Sequence, residues 1–321
     1  MSTTHVGHSD IVRFADERVN LKREDAKGHR EQIGRIRDRL ETYVQEHPDF
    51  ALRKMFLSGS LAKGTALSTI NDGDLALYIS ASKAPANMAD FLPWLAEQLR
   101  GAFPNFKPEQ VMENPSTVTV SFVGTGLRVD VVPVLYAGDP DWKGHLVSKN
   151  DGSKVLTSIP MHIDFIRRRN GASDGHYTQI VRLLKYWVRH IRSLNADFRF
   201  KSFMIELLVA YHADRGLKLD DYPEALAEIF AFIATDAFRS DIVFRDHDDP
   251  AKCVGCSDPI RIWDPVNHEN NTAQRYTAAQ RDAIIDAALD AGEAIDTALR
   301  APTKEDTLRH WRRVFGTTFN A

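Results

Sequence analysis

Residues 72–80 read DGDLALYIS, and residues 127–134 read LRVDVVPV. Both carry acids into segments otherwise apolar enough for a buried sheet. Side chains alternate along a strand, so Asp72 and Asp74, at the start of the first strand, point to one face. Two like charges side by side destabilise each other unless a cation sits between them. Asp130 is the one acid in 127–134, and a charge there needs a partner. If the second strand lies beside the first, Asp130 joins the other two acids. Such a set of hard oxygen ligands suits Mg²⁺. Three carboxylates can hold two metals, and a pair about 4 Å apart is a device for in-line phosphoryl or nucleotidyl displacement.

Gly59-Ser60 lies about a dozen residues upstream of Asp72, at the end of FLSG (56–59), a short strand running into a turn. A strand, a tight glycine turn and a helix start present backbone N–H groups as an anion cradle. Gly59 permits close backbone approach, and the Ser60 hydroxyl can donate to a phosphate. Gly64-Thr65 continues the segment. Each signal has a bland alternative: Asp-x-Asp is common in surface turns, Gly-Ser is frequent by chance, and Asp130 alone could keep an edge strand soluble. Their joint occurrence, in this order and on these elements, is far more specific.

The remaining elements divide the chain. Residues 23–46 read as a helix, with Ile33, Ile36, Leu40, Tyr43 and Val44 on one stripe, ended by His47-Pro48. Residues 88–103 read mostly as a helix broken at Pro93. STVTVSF (116–122) and LRVDVVPV alternate and are linked by VGTG, a hairpin signal. Residues 137–160 read as loop-rich. Beyond them, 162–170, 176–193, 201–216 and 223–238 carry helical periodicity, as does 277–299, opened by a Thr277/Gln280 capping box. GTTFNA (316–321) reads as a flexible tail. The expected architecture is α+β, with a sheet lobe over 1–155 that includes the long N-terminal helix, and a helical lobe over 156–321.

The 321 residues are 43% hydrophobic and 26% charged, a globular composition. A net charge of −3 argues against a nucleic-acid-coating role but leaves room for a local phosphate site. The two cysteines, Cys253 and Cys256, cannot build a disulfide framework, which fits a reduced compartment. MSTTHVGHSDIVRF lacks a signal-peptide apolar region, and the greasiest run, 203–211, is interrupted by Glu206. A cytoplasmic protein without a membrane partner is expected.

Gly59-Ser60, Asp72-Gly73-Asp74 and Asp130 together resemble the polymerase-β-like nucleotidyltransferases. GSLAKGTAL, DGDLALYI and VDVVPVL are closer still to oligoadenylate synthetase and to the bacterial cGAS-like (CD-NTase) enzymes of CBASS anti-phage systems. RLLKYW (182–187) resembles the segment that places a lysine, here Lys185, on the triphosphate. KSFMIELL (201–208) resembles the one whose serine, here Ser202, contacts phosphate and whose next aromatic, here Phe203, stacks on a base. IWDPVNHENNTA (262–273) is similar to the family's DP-x-(D/N)-P-x-x-N segment. The chain departs from the pattern at His268, often proline, at Gly73, often larger and apolar, and at Phe203, which lacks tyrosine's hydroxyl. Within the bacterial group the whole chain most resembles the HORMA-associated cyclic trinucleotide synthases.

The resemblance implies an active site in the cleft between the two lobes. Asp72 and Asp74 would bind both metals, two Mg²⁺ or Mn²⁺, and Asp130 would complete the site. A ribose hydroxyl would attack the α-phosphate of a second ATP, or another NTP, and ring closure would give a cyclic oligoadenylate such as cyclic tri-AMP. Gly59, Ser60, Lys185, Ser202 and Phe203 would hold nucleotide. A HORMA-domain activator and an AAA+ ATPase regulator are implied partners, with nucleic acid as an activator and not the main substrate. His247, Cys253 and Cys256 could supply three ligands of a structural Zn²⁺, with Asp246, Asp248 or Asp249 as a fourth. Two competing readings are a nucleotidyltransferase that modifies tRNA or a protein, and an inactive scaffold. The missing basic tail counts against tRNA, and three clustered carboxylates have no purpose in a scaffold.

Overall fold

The computed structural model describes residues 5–247, 249, 253 and 255–320. In chain order the helices are α1 (His8–Phe14), α2 (Arg23–Glu46), α3 (Gly59–Lys63), α4 (Phe91–Ala102), α5 (Ile159–Ala172), α6 (His176–Leu194), α7 (Ser202–Ala213), α8 (Tyr222–Asp236), α9 (Ala278–Arg300) and α10 (Lys304–Phe315). The strands are β1 (Leu52–Ser58), β2 (Asp72–Ser80), β3 (Val111–Glu113), β4 (Val118–Ser121), β5 (Arg128–Tyr136), β6 (Gly144–Val147) and β7 (Lys154–Thr157). Two compact units emerge: a sheet unit, Leu21–Asp164, and a helical unit from Phe165 onward that includes the segment ending at Asn20. The expected division at 155 differs from this one, which falls at 164 and assigns the N-terminal segment to the helical unit.

The sheet unit is built on one seven-stranded sheet in the order β1-β2-β5-β4-β3, with β6 and β7 continuing from β5. β2 and β5 are parallel neighbours, and the other pairs are antiparallel. β2 is buried on both faces. Leu75, Leu77 and Ile79 join a core with Ile33, Ile36 and Leu40 of α2 and with Phe91, Leu95 and Leu99 of α4. Ala76 and Tyr78 face the other way, into a smaller cluster with Val134, Phe56 and Trp142. The α2 stripe recurs at three- and four-residue steps because that spacing keeps one helix face on the sheet.

Two prolines fall where they do little harm. Pro93 does not break a helix; it is the third residue of α4, in the first turn, where no N–H is needed. Pro133 in β5 sits in the gap between residues paired with β4, which end at Val131, and those paired with β6, which begin at Val134. The stretch 137–160, expected as loop, holds β6 and β7; both are only four residues long, too short for a clear alternation signal.

In the helical unit α7 is buried from Met204 to Tyr211, which makes it the central helix. No described helix is long and apolar enough to cross a membrane. α9 opens with the expected capping box, Thr277 and Gln280 bonding reciprocally at 3.1 and 3.2 Å. The tail departs from the sequence expectation. Phe319 is fully buried, with ring centroids 4.8 Å from Phe14, 5.7 Å from Trp311 and 5.8 Å from Phe315. Arg312 Nε donates to the Phe319 carbonyl at 3.1 Å, and Thr318 Oγ1 lies 3.0 Å from the Tyr186 hydroxyl. Phe319→Ala is therefore expected to destabilise the chain by about 3 kcal/mol in urea unfolding, the cost of deleting a fully buried aromatic ring. A loss below about 1 kcal/mol would show that the tail does not belong to the core.

Candidate active site

The acidic site is assembled by strand register. Ser58, the last residue of β1, pairs with Asp74, and in the parallel β2–β5 ladder Asp74 pairs with Asp130. Asp72 is one step further out on the same face, in register with Arg128. Asp72 is exposed, while Asp74 and Asp130 are half-buried, because all three sit at the open end of the face whose inner part is sealed by Tyr78 and Trp142. The Tyr78 hydroxyl accepts the Ile159 N–H at 3.0 Å, and burial pushes its pKa up to about 12. That side chain is a neutral strut behind the acids.

Gly59 is required by this arrangement. It leaves β1 at φ +62°, and a Cβ built on it would lie 1.7 Å from Asp74 Oδ2. The backbone of the turn thus lies directly against the carboxylate, with Ser60 next on α3. Gly73 is fixed by packing: a Cβ there would meet Ile33 Cδ1 at 2.6 Å. Ile33, reaching across from α2, takes the space a side chain at position 73 would need.

Two residues that sequence reasoning missed hold Asp130. Thr119 faces it across the β4–β5 pair, and Thr119 Oγ1 donates to Asp130 Oδ1 at 2.5 Å. Asn114 Nδ2 donates to Thr119 Oγ1 at 2.7 Å. Thr119 is buried, so its hydroxyl has an obligate partner in this chain of bonds. The polar phase of STVTVSF carries the signal, since Thr117, Thr119 and Ser121 alternate with valines.

The donor set fits divalent metal. All the oxygens are carboxylate, the register stacks Asp74 on Asp130, and the missing side chain at Gly59 leaves the Asp74 carboxylate its place. Among the described residues no three His, Cys, Asp or Glu side chains stand close enough to hold a metal as they are placed. The strand register therefore supplies proximity, and the side-chain rotamers would complete it.

The other expected nucleotide residues belong to the helical unit. Lys185 is half-buried on α6; Ser202 is exposed and Phe203 half-buried at the start of α7. The DP-x-N segment is consumed by its own loop. Buried Asp264 accepts the Val266 N–H at 2.9 Å and Asn270 Nδ2 at 3.2 Å. Asn271 Oδ1 accepts the Ile262 and Ala273 N–H groups, both at 3.1 Å, and its Nδ2 donates to Asp258 and to the Ile260 carbonyl, both at 2.8 Å. His268 is fully buried, with Nδ1 2.8 Å from the Asp249 carbonyl.

The zinc expectation is corrected for the described residues, which hold no metal-binding group of His, Cys or acids there. His247 Nε2 is 3.1 Å from Arg168 Nη2, and the Asp246 carboxylate is taken by Arg169 at 2.8 and 3.0 Å. Cys256 Sγ lies 4.0 Å from Asn271 Nδ2. Asp248 is outside the described residues. The spacing along the chain suits a metal, but the arginines of α5 engage His247 and Asp246 instead.

Gly59→Ala should displace the Asp74 carboxylate by an ångström or more and, on the expectation that Asp74 serves a reaction, lower turnover about 100-fold. Gly64→Ala, at φ +71° with open space around it, should instead cost about 1–2 kcal/mol of stability and keep activity. Equal turnover in the two folded variants would refute the role given to Gly59.

No protein-family model matches the chain. It is 52% identical over 319 residues to the cyclic AMP-AMP-AMP synthase of Escherichia coli (strain MS 115-1), covering 99% of both. It is 29% identical over 314 residues to the CBASS oligonucleotide cyclase CdnC of E. coli (strain KTE188), covering 96% of both. The solved structure of E. coli MS115-1 CdnC with ATP superimposes with a TM-score of 0.92 at 51% identity, over 99% of this chain and 100% of that one. The complex of that CdnC with HORMA-deltaN gives the same TM-score, 0.92, at 51% identity over 99% of each chain. Divalent-metal-dependent nucleotidyl transfer is the chemistry these neighbours imply, and the acidic register of β2 and β5 suits it. With its α+β, polymerase-β-like fold, the chain belongs to the CD-NTase family of CBASS oligonucleotide cyclases and is a nucleotidyltransferase.

Proposed function

We propose that this enzyme joins ATP into cyclic tri-AMP, a second messenger of bacterial anti-phage defence made in the cytoplasm. The observation that carries this reading is the full-length 52% identity to a cyclic AMP-AMP-AMP synthase, in a chain whose register stacks Asp74 on Asp130. Asp72, Asp74 and Asp130 would hold two Mg²⁺, or Mn²⁺. Bound there, the ions supply Lewis-acid stabilisation of the charge that develops on the phosphates.

The protein's own groups do the rest. Asp130, oriented by Thr119, takes the proton as the ribose hydroxyl attacks the α-phosphate. A new phosphodiester bond forms, the α–β phosphoanhydride breaks, and pyrophosphate leaves. Gly59, Ser60, Lys185 and Ser202 hold the triphosphate, and Phe203 stacks on a base. Stacking is tolerant of base identity, so Phe203 does not select adenine by itself. A HORMA-domain protein is the proposed activator, by likeness to the CdnC that is solved in such a complex. An AAA+ ATPase regulator, and nucleic acid as an activator, rest on the family resemblance alone.

Purified enzyme with its HORMA partner, Mg²⁺ and each NTP should convert ATP to a phosphatase-resistant product with the mass of cyclic tri-AMP. Asp72→Asn/Asp74→Asn should reduce that product to background. A linear or macromolecule-linked adenylate as the only product would overturn the proposal in favour of a modifying enzyme.

A further inference from the structure

The start of α7 is held from two directions. Ahead of it, residues 195–200 run from α6 to α7, with Phe198 and Phe200 buried against Trp187 at ring separations of 6.0 and 6.4 Å. Arg192, on the last turn of α6, donates from Nε to the Phe198 carbonyl at 3.2 Å and from Nη2 to the Phe200 carbonyl at 3.3 Å. A planar guanidinium can bridge two carbonyls in this way, and an ammonium cannot reproduce the fork. Arg192 also lies seven residues, about two helical turns, beyond Lys185, so both belong to one face of α6.

Behind it, the loop ordered by Asn271 ends at Tyr276. Asn271 Oδ1 accepts the Ala273 N–H at 3.1 Å, and the Ala273 carbonyl accepts the Tyr276 N–H at 2.9 Å. Tyr276 is buried, and its hydroxyl accepts the Lys201 N–H at 3.0 Å. Lys201 Nζ returns to the same loop, donating to the Thr272 carbonyl at 3.1 Å, 5.5 Å from the Tyr276 ring centroid. Lys201 is the N-cap of α7, and its own side chain caps nothing there. The backbone that delivers Ser202 and Phe203 is therefore set by a phenol from one side and a guanidinium from the other.

We infer that Tyr276 and Arg192 are positioning residues for nucleotide binding, acting through the entry to α7 and through it on Ser202 and Phe203. The inference rests on the reading of Ser202 and Phe203 as nucleotide contacts. It also gives the DP-x-N segment a purpose its acids and amides do not serve directly: its hydrogen bonds build the platform on which Tyr276 stands.

The test is the affinity of the full chain for a nonhydrolysable ATP analogue with Mg²⁺, measured by calorimetry. Wild type, Tyr276→Phe, Arg192→Lys and Phe203→Ala are compared, each with its melting temperature, and KM and kcat are measured with the activator. Tyr276→Phe keeps the ring and loses one hydrogen-bond acceptor, so Kd and KM should rise about 3- to 10-fold with kcat within about twofold. Arg192→Lys should move the same way. A purely structural role would lower the melting temperature and the binding stoichiometry and leave Kd of the folded molecules unchanged, and that result would overturn the inference. If Phe203→Ala weakens binding while Tyr276→Phe and Arg192→Lys do not, the clamp alone is wrong. If Phe203→Ala has no effect on Kd, the nucleotide role of the α7 entry fails, and the inference fails with it.

Discussion

The parallel pairing of β2 with β5 is the constraint from which the site follows. It sets Asp74 directly opposite Asp130, with Asp72 one step outward, and so concentrates like charge on the end of a sheet whose interior is apolar. Like charges in such positions oppose folding, and the arrangement is useful only where a cation offsets them. The local features follow from it. Gly59 has no side chain because Asp74 occupies that space, and Thr119 and Asn114 form a relay that fixes the Asp130 carboxylate. Behind the acids, β2 is packed on both faces, so the strand that carries two of them has little freedom to shift. A one-residue slip of β5 would turn Asp130 to the face opposite Asp72 and Asp74.

The helical unit solves a different problem. Its central helix, α7, is apolar almost all round, so its hydrophobic pattern does not fix its rotation. Directional bonds at its entry supply what packing leaves open, from Tyr276, Lys201 and Arg192. Buried aromatic contacts do the same at the far end of the chain, where Phe319 closes against Phe14, Trp311 and Phe315.

The acids are legible in the amino-acid sequence because charge inside an apolar strand is costly, and that cost makes the pattern rare. The α2 stripe and the Thr277 capping box are legible because both depend on local spacing. Less local features are hidden. Thr119 looks like any polar residue of an alternating strand until register places it opposite Asp130. Tyr276 looks like a loop aromatic, since its partner is 75 residues away in sequence. The tail looks flexible because one phenylalanine among small polar residues gives no periodic signal. CVGC suggests zinc, but spacing cannot reveal that Arg168 and Arg169 already engage His247 and Asp246.

If the β2–β5 register holds repelling carboxylates together for a cation, removing one charge should relieve the metal-free fold and weaken the metal. The decisive experiment compares Mn²⁺ binding, followed by electron paramagnetic resonance, with metal-free melting temperature in wild type and Asp130→Asn. An amide there still accepts the Thr119 hydroxyl and removes the charge. Asp130→Asn should melt at the same or a higher temperature without metal and bind Mn²⁺ at least about tenfold more weakly. Unchanged Mn²⁺ affinity with a lowered melting temperature would mean that Asp130 is a structural acid, and that the register does not exist to hold a cation.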